Sequence, residues 1–144
     1  MTRYLLDTNI ISHIVKPKPS PFLIAWMTEQ ADEDLFTSSL TVAEIRRGIL
    51  ERPAGKKRDE LERWSAGPEG PLALFAGRVL SFDDRAALIW ARLMAEGTAH
   101  GRPRSALDMI IAATAEANGC VVATDNESDF AGLEIINQLK SANA

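Results

Sequence analysis

The chain has 144 residues, 46% of them hydrophobic and 25% charged, with a formal net charge of −4. This length and composition fit one ordinary globular domain over 1–144. The acidic balance argues against a protein that coats nucleic acid, and a single cysteine, Cys120, excludes a disulfide framework or a cysteine metal site.

Arg3–Leu6 reads as a short buried strand and Thr8–Val15 as a short helix stopped at Lys16-Pro17. Ser20-Pro21, a cap followed by proline at the first helical position, opens a helix to about Gln30. Leu35–Ser38 is a second strand, and Thr41 starts a helix to about Arg52, broken by Pro53 and Gly55. Lys56–Ala66 is a charged amphipathic helix ended by Gly67-Pro68, and Gly70–Ala76 is a short helix. Val79–Phe82 is a strand, after which Asp83 caps a helix with Ala86, Ile89, Trp90, Leu93 and Met94 at helical spacing. Gly97–Arg104 is a loop. Ser105 opens a nearly all-apolar helix to Ala117, closed by Asn118-Gly119. Cys120–Ala123 is a strand, and Glu134–Ile136 is a last short one before a polar tail at 139–144. Strands alternating with helices predict an α/β fold, a mostly parallel central sheet with helices on both faces. In such folds ligands gather beyond the carboxyl ends of the strands. No apolar stretch approaches the ~20 residues of a membrane span, and Arg3-Tyr4-Leu5-Leu6-Asp7 is too short for a signal peptide. A cytoplasmic location is therefore expected.

Asp7 stands between two apolar runs, Tyr4-Leu5-Leu6 and Ile10-Ile11. An ionised carboxylate there is costly unless something pairs with it. Glu44 lies in the first turn of the helix after the second strand, Asp108 in the first turn of Ser105–Ala117, and Asp125–Asp129 after the strand Cys120–Ala123. Parallel strands bring all four positions to one edge of the sheet. Thr41-Val42-Ala43-Glu44 also fits a capping box, and Ser105 with Asp108 fits one less well. Either carboxylate also gains from the helix dipole. Capping accounts less well for Asp108, which Leu107, Met109, Ile110, Ile111, Ala112 and Ala113 surround in sequence. Several buried carboxylates aimed at one place repel one another, and a hard divalent cation, Mg²⁺ or Mn²⁺, resolves this. Such a cation suits phosphodiester hydrolysis. His13 reads as a packed or surface residue, and no Ser-His-Asp triad, Walker loop or Gly-x-Gly-x-x-Gly is present. Arg46, Arg102 and Arg104, each near the terminus of one of these helices, are candidate phosphate contacts. Lys56–Arg58 reads as a solvated face or as part of that basic surface. Trp26, Trp64 and Trp90 lie on apolar helical faces, which favours core or interface use.

The motifs Leu6-Asp7-Thr8-Asn9, Thr41-Val42-Ala43-Glu44, Ala106-Leu107-Asp108 through Thr114, and Val122-Ala123-Thr124 with Asp129-Phe130 resemble the PIN-domain ribonucleases. Within that family the chain is most similar to VapC-like toxins, the FitB branch, of type II toxin–antitoxin systems. The resemblance runs from Arg3 to about Leu139. It implies a PIN fold and Mg²⁺- or Mn²⁺-dependent cleavage of RNA. It also implies a homodimer, a small cognate antitoxin and assembly into a larger toxin–antitoxin complex. It carries onto Asp7, Glu44 and Asp108 as metal-site acids, with Asn9 and Thr124 as polar supports. Many members have Thr-x-Asp after the last motif strand, whereas this chain has Asn126 there, with Asp125 before it and Asp129 after. Asp129 carries the charge that Asn126 lacks, so Asp129 is expected near the metal and Asn126 in contact through water. Asp125 is expected to face away, because side chains alternate along an extended chain.

Two other readings stand beside this one. A catalytically inactive PIN module would bind RNA or a partner protein. A phosphate-handling α/β domain of the haloacid-dehalogenase type would need Asp-x-Asp after the first strand, where Asn9 stands, and a receiver would need an acidic pair there.

Overall fold

Successive residues of β1 (Arg3–Leu6) leave it for opposite faces, as the pleat of a strand requires. Leu5 joins a core with Phe36, Val122, Leu93, Met109, Ile111 and Phe130. Leu6 joins another with Ile10, Ile11, Leu23, Trp26, Leu35, Phe75 and Ala123. A sheet apolar on both faces has to be covered on both, and helices cover it here, as the alternating pattern predicts. The computed structural model describes residues 2–14 and 18–137. The stop at Lys16-Pro17, Val15 of the first helix and the tail at 139–144 lie outside the described residues.

The sheet is wholly parallel among the described residues, in the order β3-β2-β1-β4-β5. β2 is Leu35–Ser38, β3 Val79–Leu80, β4 Cys120–Ala123 and β5 Ile135–Ile136. β1 sits at the centre, with Leu5 opposite Phe36 on one side and Val122 on the other. The chain moves outward one way through β2 and β3, then returns to the other side of β1 for β4. The carboxyl ends of β1 and β4 therefore meet where the winding reverses, the place such sheets offer a ligand. Between the strands run α1 (Thr8–Ile14), α2 (Pro21–Glu29), α3 (Ser39–Leu50), α4 (Lys56–Ala66), α5 (Pro71–Leu74), α6 (Asp84–Ala99) and α7 (Ala106–Ala117). No helix among the described residues is long and apolar enough to cross a membrane.

Several boundaries differ from the sequence reading, each for a physical reason. The helix after β2 begins at Ser39, because Ser38 Oγ accepts from the Thr41 N–H at 3.0 Å and is its cap. Thr41 is thus inside the helix, the capping box at Thr41–Glu44 does not form, and Glu44 belongs to the second turn. α6 continues through Gly97 to Ala99. Gly97 is not a stop signal: a Cβ there would meet Arg102 O and Arg104 Cγ, each at 2.9 Å, so its bare backbone lets the following loop lie against the helix. β3 ends at Leu80, leaving Phe82 39% exposed, and a single 3-10 turn at Asp32–Asp34 precedes β2. Trp26 packs edge-to-face on Tyr4 with ring centroids 4.9 Å apart, and Trp90 Nε1 donates to the Ala106 carbonyl, tying α6 to the start of α7. His13 accepts from the Ser20 N–H at 3.0 Å.

Candidate active site

Asp7 is 4% exposed and follows β1 at the winding reversal. Its own N–H still belongs to the sheet, donating to Ala123 O at 2.9 Å, so the ladder fixes its position. Both carboxylate oxygens are held. The Thr8 N–H donates to Oδ1 at 2.7 Å, and the Thr124 hydroxyl donates to Oδ2 at 2.8 Å. Thr124 follows β4, is fully buried, and in turn accepts from the Asn126 N–H at 3.0 Å and from Asn9 Nδ2 at 3.4 Å. The amide oxygen of Asn9, Oδ1, is buried and has no hydrogen-bond donor among the described residues.

Glu44 reaches the same place from α3. Its Oε1 accepts from the Thr8 hydroxyl at 2.7 Å. Thr8 Oγ1 lies 3.2 Å from Thr41 Oγ1, and Ser38 Oγ donates to Thr41 Oγ1 at 3.1 Å. This row of hydroxyls at the end of β2 orients Glu44, a tie between distant segments that a capping role does not provide.

Asp108 enters from the first turn of α7, where Ser105 Oγ caps the helix by accepting from the Asp108 N–H at 3.2 Å. Most of that helix is buried, but Asp108 itself is half-buried at its end, contrary to the expectation from its apolar neighbours. The loop after β4 is anchored by Phe130, 1% exposed within the α6–α7 core. That anchor brings Asp129 to Asp108. Asn126 Nδ2 donates to Asp129 Oδ2 at 2.6 Å, so Asn126 acts here as a holder of Asp129.

The electrostatics record the crowding. Burial pushes the Asp7 carboxyl above the usual range, the Thr124 and Thr8 hydrogen bonds pull it back, and the charges of Glu44 and Asp125 push it up again. Asp108 is pushed up to about 6, by burial first, then by its hydrogen bond with Asp129 and the charges of Asp7 and Asp129, against the lowering hydrogen bond of Ser105. No basic group appears among these influences. Asp125 is exposed, yet its charge reaches Asp7. Among the described residues no three acidic, histidine or cysteine side chains enclose a common point, so the site is an open set of carboxylates, Asp7 and Glu44 both bonded to Thr8 and Asp108 bonded to Asp129, rather than a closed cage.

The three arginines fare differently. Arg46 pairs with Glu62 of α4 at 3.9 Å. Arg104, with its side chain 17% exposed, donates to Leu93 O at 2.7 Å and lies 3.5 Å from Glu96, so it binds α6 to the loop before α7. Arg102 is exposed, in a cleft beside Asp129. Asp7, Glu44, Asp108 and Asp129 stand out from sequence alone, whereas Thr8, Thr41 and Ser38 join the site only in the structure. Their one signal is a set of small hydroxyl residues at the ends of two strands.

Known proteins with related sequences and folds set this geometry in a family. The PIN domain family model matches residues 4–135. A VapC ribonuclease, Y4jK, of Sinorhizobium fredii is 43% identical over 140 residues, covering 96% of this chain and 99% of its own. Toxin FitB of Neisseria gonorrhoeae is 39% identical, covering 91% and 93%. The crystal structure of FitAcB from that organism superposes with a TM-score of 0.83 at 39% identity, over 94% of this chain and 97% of its own. VapBC-5 of Mycobacterium tuberculosis, a member of the VapBC family of toxin–antitoxin systems, superposes with a TM-score of 0.66 at 25% identity, over 95% and 99%. A family match over nearly the whole length, on a fold whose acids gather where the sheet reverses, means that the chain belongs to the PIN domain family.

Proposed function

We propose that the chain is a Mg²⁺- or Mn²⁺-dependent endoribonuclease, the toxin of a type II toxin–antitoxin pair. The observation that carries this reading is the carboxylate cluster itself: Asp7 and Asp108 are both pushed towards their protonated forms by burial and by neighbouring acids. The donor set fits a hard divalent cation. It consists of oxygens only, it has an excess of negative charge, and it includes the donorless Asn9 Oδ1, an acceptor suited to a cation's water. No three of these acids enclose a common point as they stand, so binding would draw Asp7, Asp108 and Glu44 together on the ion, with Asp129 beside them. The ion supplies Lewis acidity for activating water and for neutralising charge on the scissile phosphate.

The chain's own residues do the rest. Thr124 and the Thr8 N–H fix both oxygens of Asp7, so that carboxylate need not reorganise. The Thr8 hydroxyl does the same for Glu44, and Asn126 for Asp129. Asp108, with a value of about 6, gives up its proton near neutral pH. The inactive-module reading rested on Asn126, which here supports an aspartate. The named relatives, a VapC ribonuclease and toxin FitB, support the ribonuclease and toxin assignments. The VapBC neighbour supports a small antitoxin partner. A homodimer and a cytoplasmic location, where RNA and antitoxin are met, complete the proposal.

Single-stranded RNA incubated with the purified protein should be cut with Mg²⁺ or Mn²⁺ and remain intact in EDTA. Asp7→Asn and Asp108→Asn should abolish cutting while leaving the circular dichroism spectrum unchanged. Expression of the parent chain should arrest growth, and co-expressed antitoxin should relieve the arrest. Undiminished cutting in EDTA overturns the mechanism.

A further inference from the structure

Beside the carboxylates lies a second concave feature, a polar cleft of about 620 Å³ between the end of α6 and the loop 128–132. That volume is in the range of small-molecule sites. Asp129 and Ser105, which belong to the acidic site, also line it, so the two are continuous. Its charges are not equivalent. Glu96 is paired with Arg92 and Arg104, and Arg104 is held against Leu93 O, which makes Arg104 part of the floor. Arg102 lines the cleft, is exposed, and has no ion-pair partner among the described residues. Two glycines keep the floor bare. Gly97 admits the backbone of Arg102, and Gly132, at φ +84 beside the Arg104 guanidinium, takes a left-handed conformation that other residues rarely adopt.

We infer that this cleft is a subsite for the RNA strand next to the scissile phosphate, with Arg102 binding the neighbouring phosphate and the cleft receiving one nucleotide. The inference rests on the ribonuclease reading and extends it. A polyanion seated on the acidic cluster through a cation needs a compensating positive contact nearby. Among the described residues Arg102 is a cation at the rim with no ion pair, and it lines the same cleft as Asp129. Arg104 is thereby a positioning residue, holding the loop that carries Arg102 and Ser105.

The test is binding of a fluorescein-labelled single-stranded oligoribonucleotide of mixed sequence, by anisotropy with Ca²⁺ in place of Mg²⁺, a hard cation that takes the same oxygen ligands, with the strand verified intact on a gel afterwards. Arg102→Ala should weaken binding about tenfold, the size of one lost charge-assisted contact. It should also reduce the slope of log affinity against log salt by about 0.7, as loss of one phosphate contact to a single strand requires. Arg102→Lys should retain most of the affinity. Ala131→Trp, which leaves every charge in place and fills the cleft, should weaken binding as well. Arg85→Ala, at the far end of α6, removes the same charge and should change little. Equal losses in Arg85→Ala and Arg102→Ala would reduce the effect to net charge and overturn the subsite. So would parent-like binding by both cleft variants, while Mg²⁺-dependent cutting by the parent would leave the ribonuclease reading intact. Cleft variants that bind RNA normally but fail to bind antitoxin would make the cleft a protein contact and overturn the inference. Failure of the parent both to bind and to cut RNA would overturn the ribonuclease reading together with the subsite.

Discussion

A single hydroxyl, Thr124 Oγ1, meets three groups. It donates to Asp7 and accepts from the Asn126 N–H and the Asn9 amide. Its one proton goes to the carboxylate because both other partners are donors, so its orientation is forced. Removing it leaves Asp7 with burial and like charges against it and only the Thr8 N–H in its favour. Thr124→Val should therefore raise the Asp7 carboxyl further and lower Mn²⁺ affinity by about 10–100-fold, the usual cost of losing a group that orients a ligand. Thr124→Ser should restore it. Calorimetric titration of Mn²⁺ into the two variants measures both, and parent-like affinity in Thr124→Val would remove Thr124 from the site. The acids were legible in the sequence because a charge inside an apolar run demands an explanation. The hydroxyls were not, since Thr8, Thr41 and Ser38 are ordinary residues at strand ends and helix starts. Arg104 shows the converse. Its position beside α7 suggests a phosphate contact, while its bonds to Leu93 O and Glu96 come from an earlier helix whose nearness the chain order does not reveal.

At the level of elements, the strands were readable because each contains a short apolar stretch, and the alternation between two cores follows from the pleat. Helix ends were less so. Ser38, Ser39 and Thr41 are all acceptable caps, and only the end of β2 decides that Ser38 serves. Gly97 resembles a helix stop in sequence, yet α6 runs through it, because its bare backbone is needed where the following loop packs on the helix. The loop after β4 has little regular structure, and its shape depends on one buried ring. Phe130 contributes to the α6–α7 core while the residue before it carries an acid to Asp108. Phe130→Ala should cost about 3–5 kcal/mol of stability, as large-to-small changes of buried aromatics do. It should also weaken Mn²⁺ binding below the unfolding temperature, because Asp129 and Asn126 lose their anchor. Phe130→Leu, which refills most of the space, should recover metal affinity before it recovers full stability. Urea titration with Mn²⁺ calorimetry on the same samples separates the two effects. Unchanged metal affinity in a folded Phe130→Ala protein would show that the loop does not serve the site.

Over the whole molecule, the fold gathers carboxylates at the one place where its winding reverses, and the consequence is a stability that depends on pH and cations together. Asp108 sits at about 6 in the folded chain against an ordinary value of 3.8, and Asp7 is raised as well. Between those values the folded state keeps a proton that the unfolded state has released. The metal-free protein therefore loses stability as pH rises from about 4 to about 6, and its deficit is complete above that window. Asp108→Asn removes the largest titration, so the metal-free variant should melt at a higher temperature than the parent at pH 7.5, with a flatter profile between pH 4 and 6. Mg²⁺ or Mn²⁺ competes with the same protons and binds the folded chain, so it should raise the parent's melting temperature at pH 7.5 and much less at pH 5. In Asp108→Asn the ion should have little effect at either pH. Scanning fluorimetry of both proteins, with EDTA and with Mn²⁺, gives all the comparisons. A parent protein whose melting temperature rises between pH 4 and 6 in EDTA would contradict the direction of both shifts. A variant stabilised by Mn²⁺ as strongly as the parent would show that Asp108 is not where the ion binds.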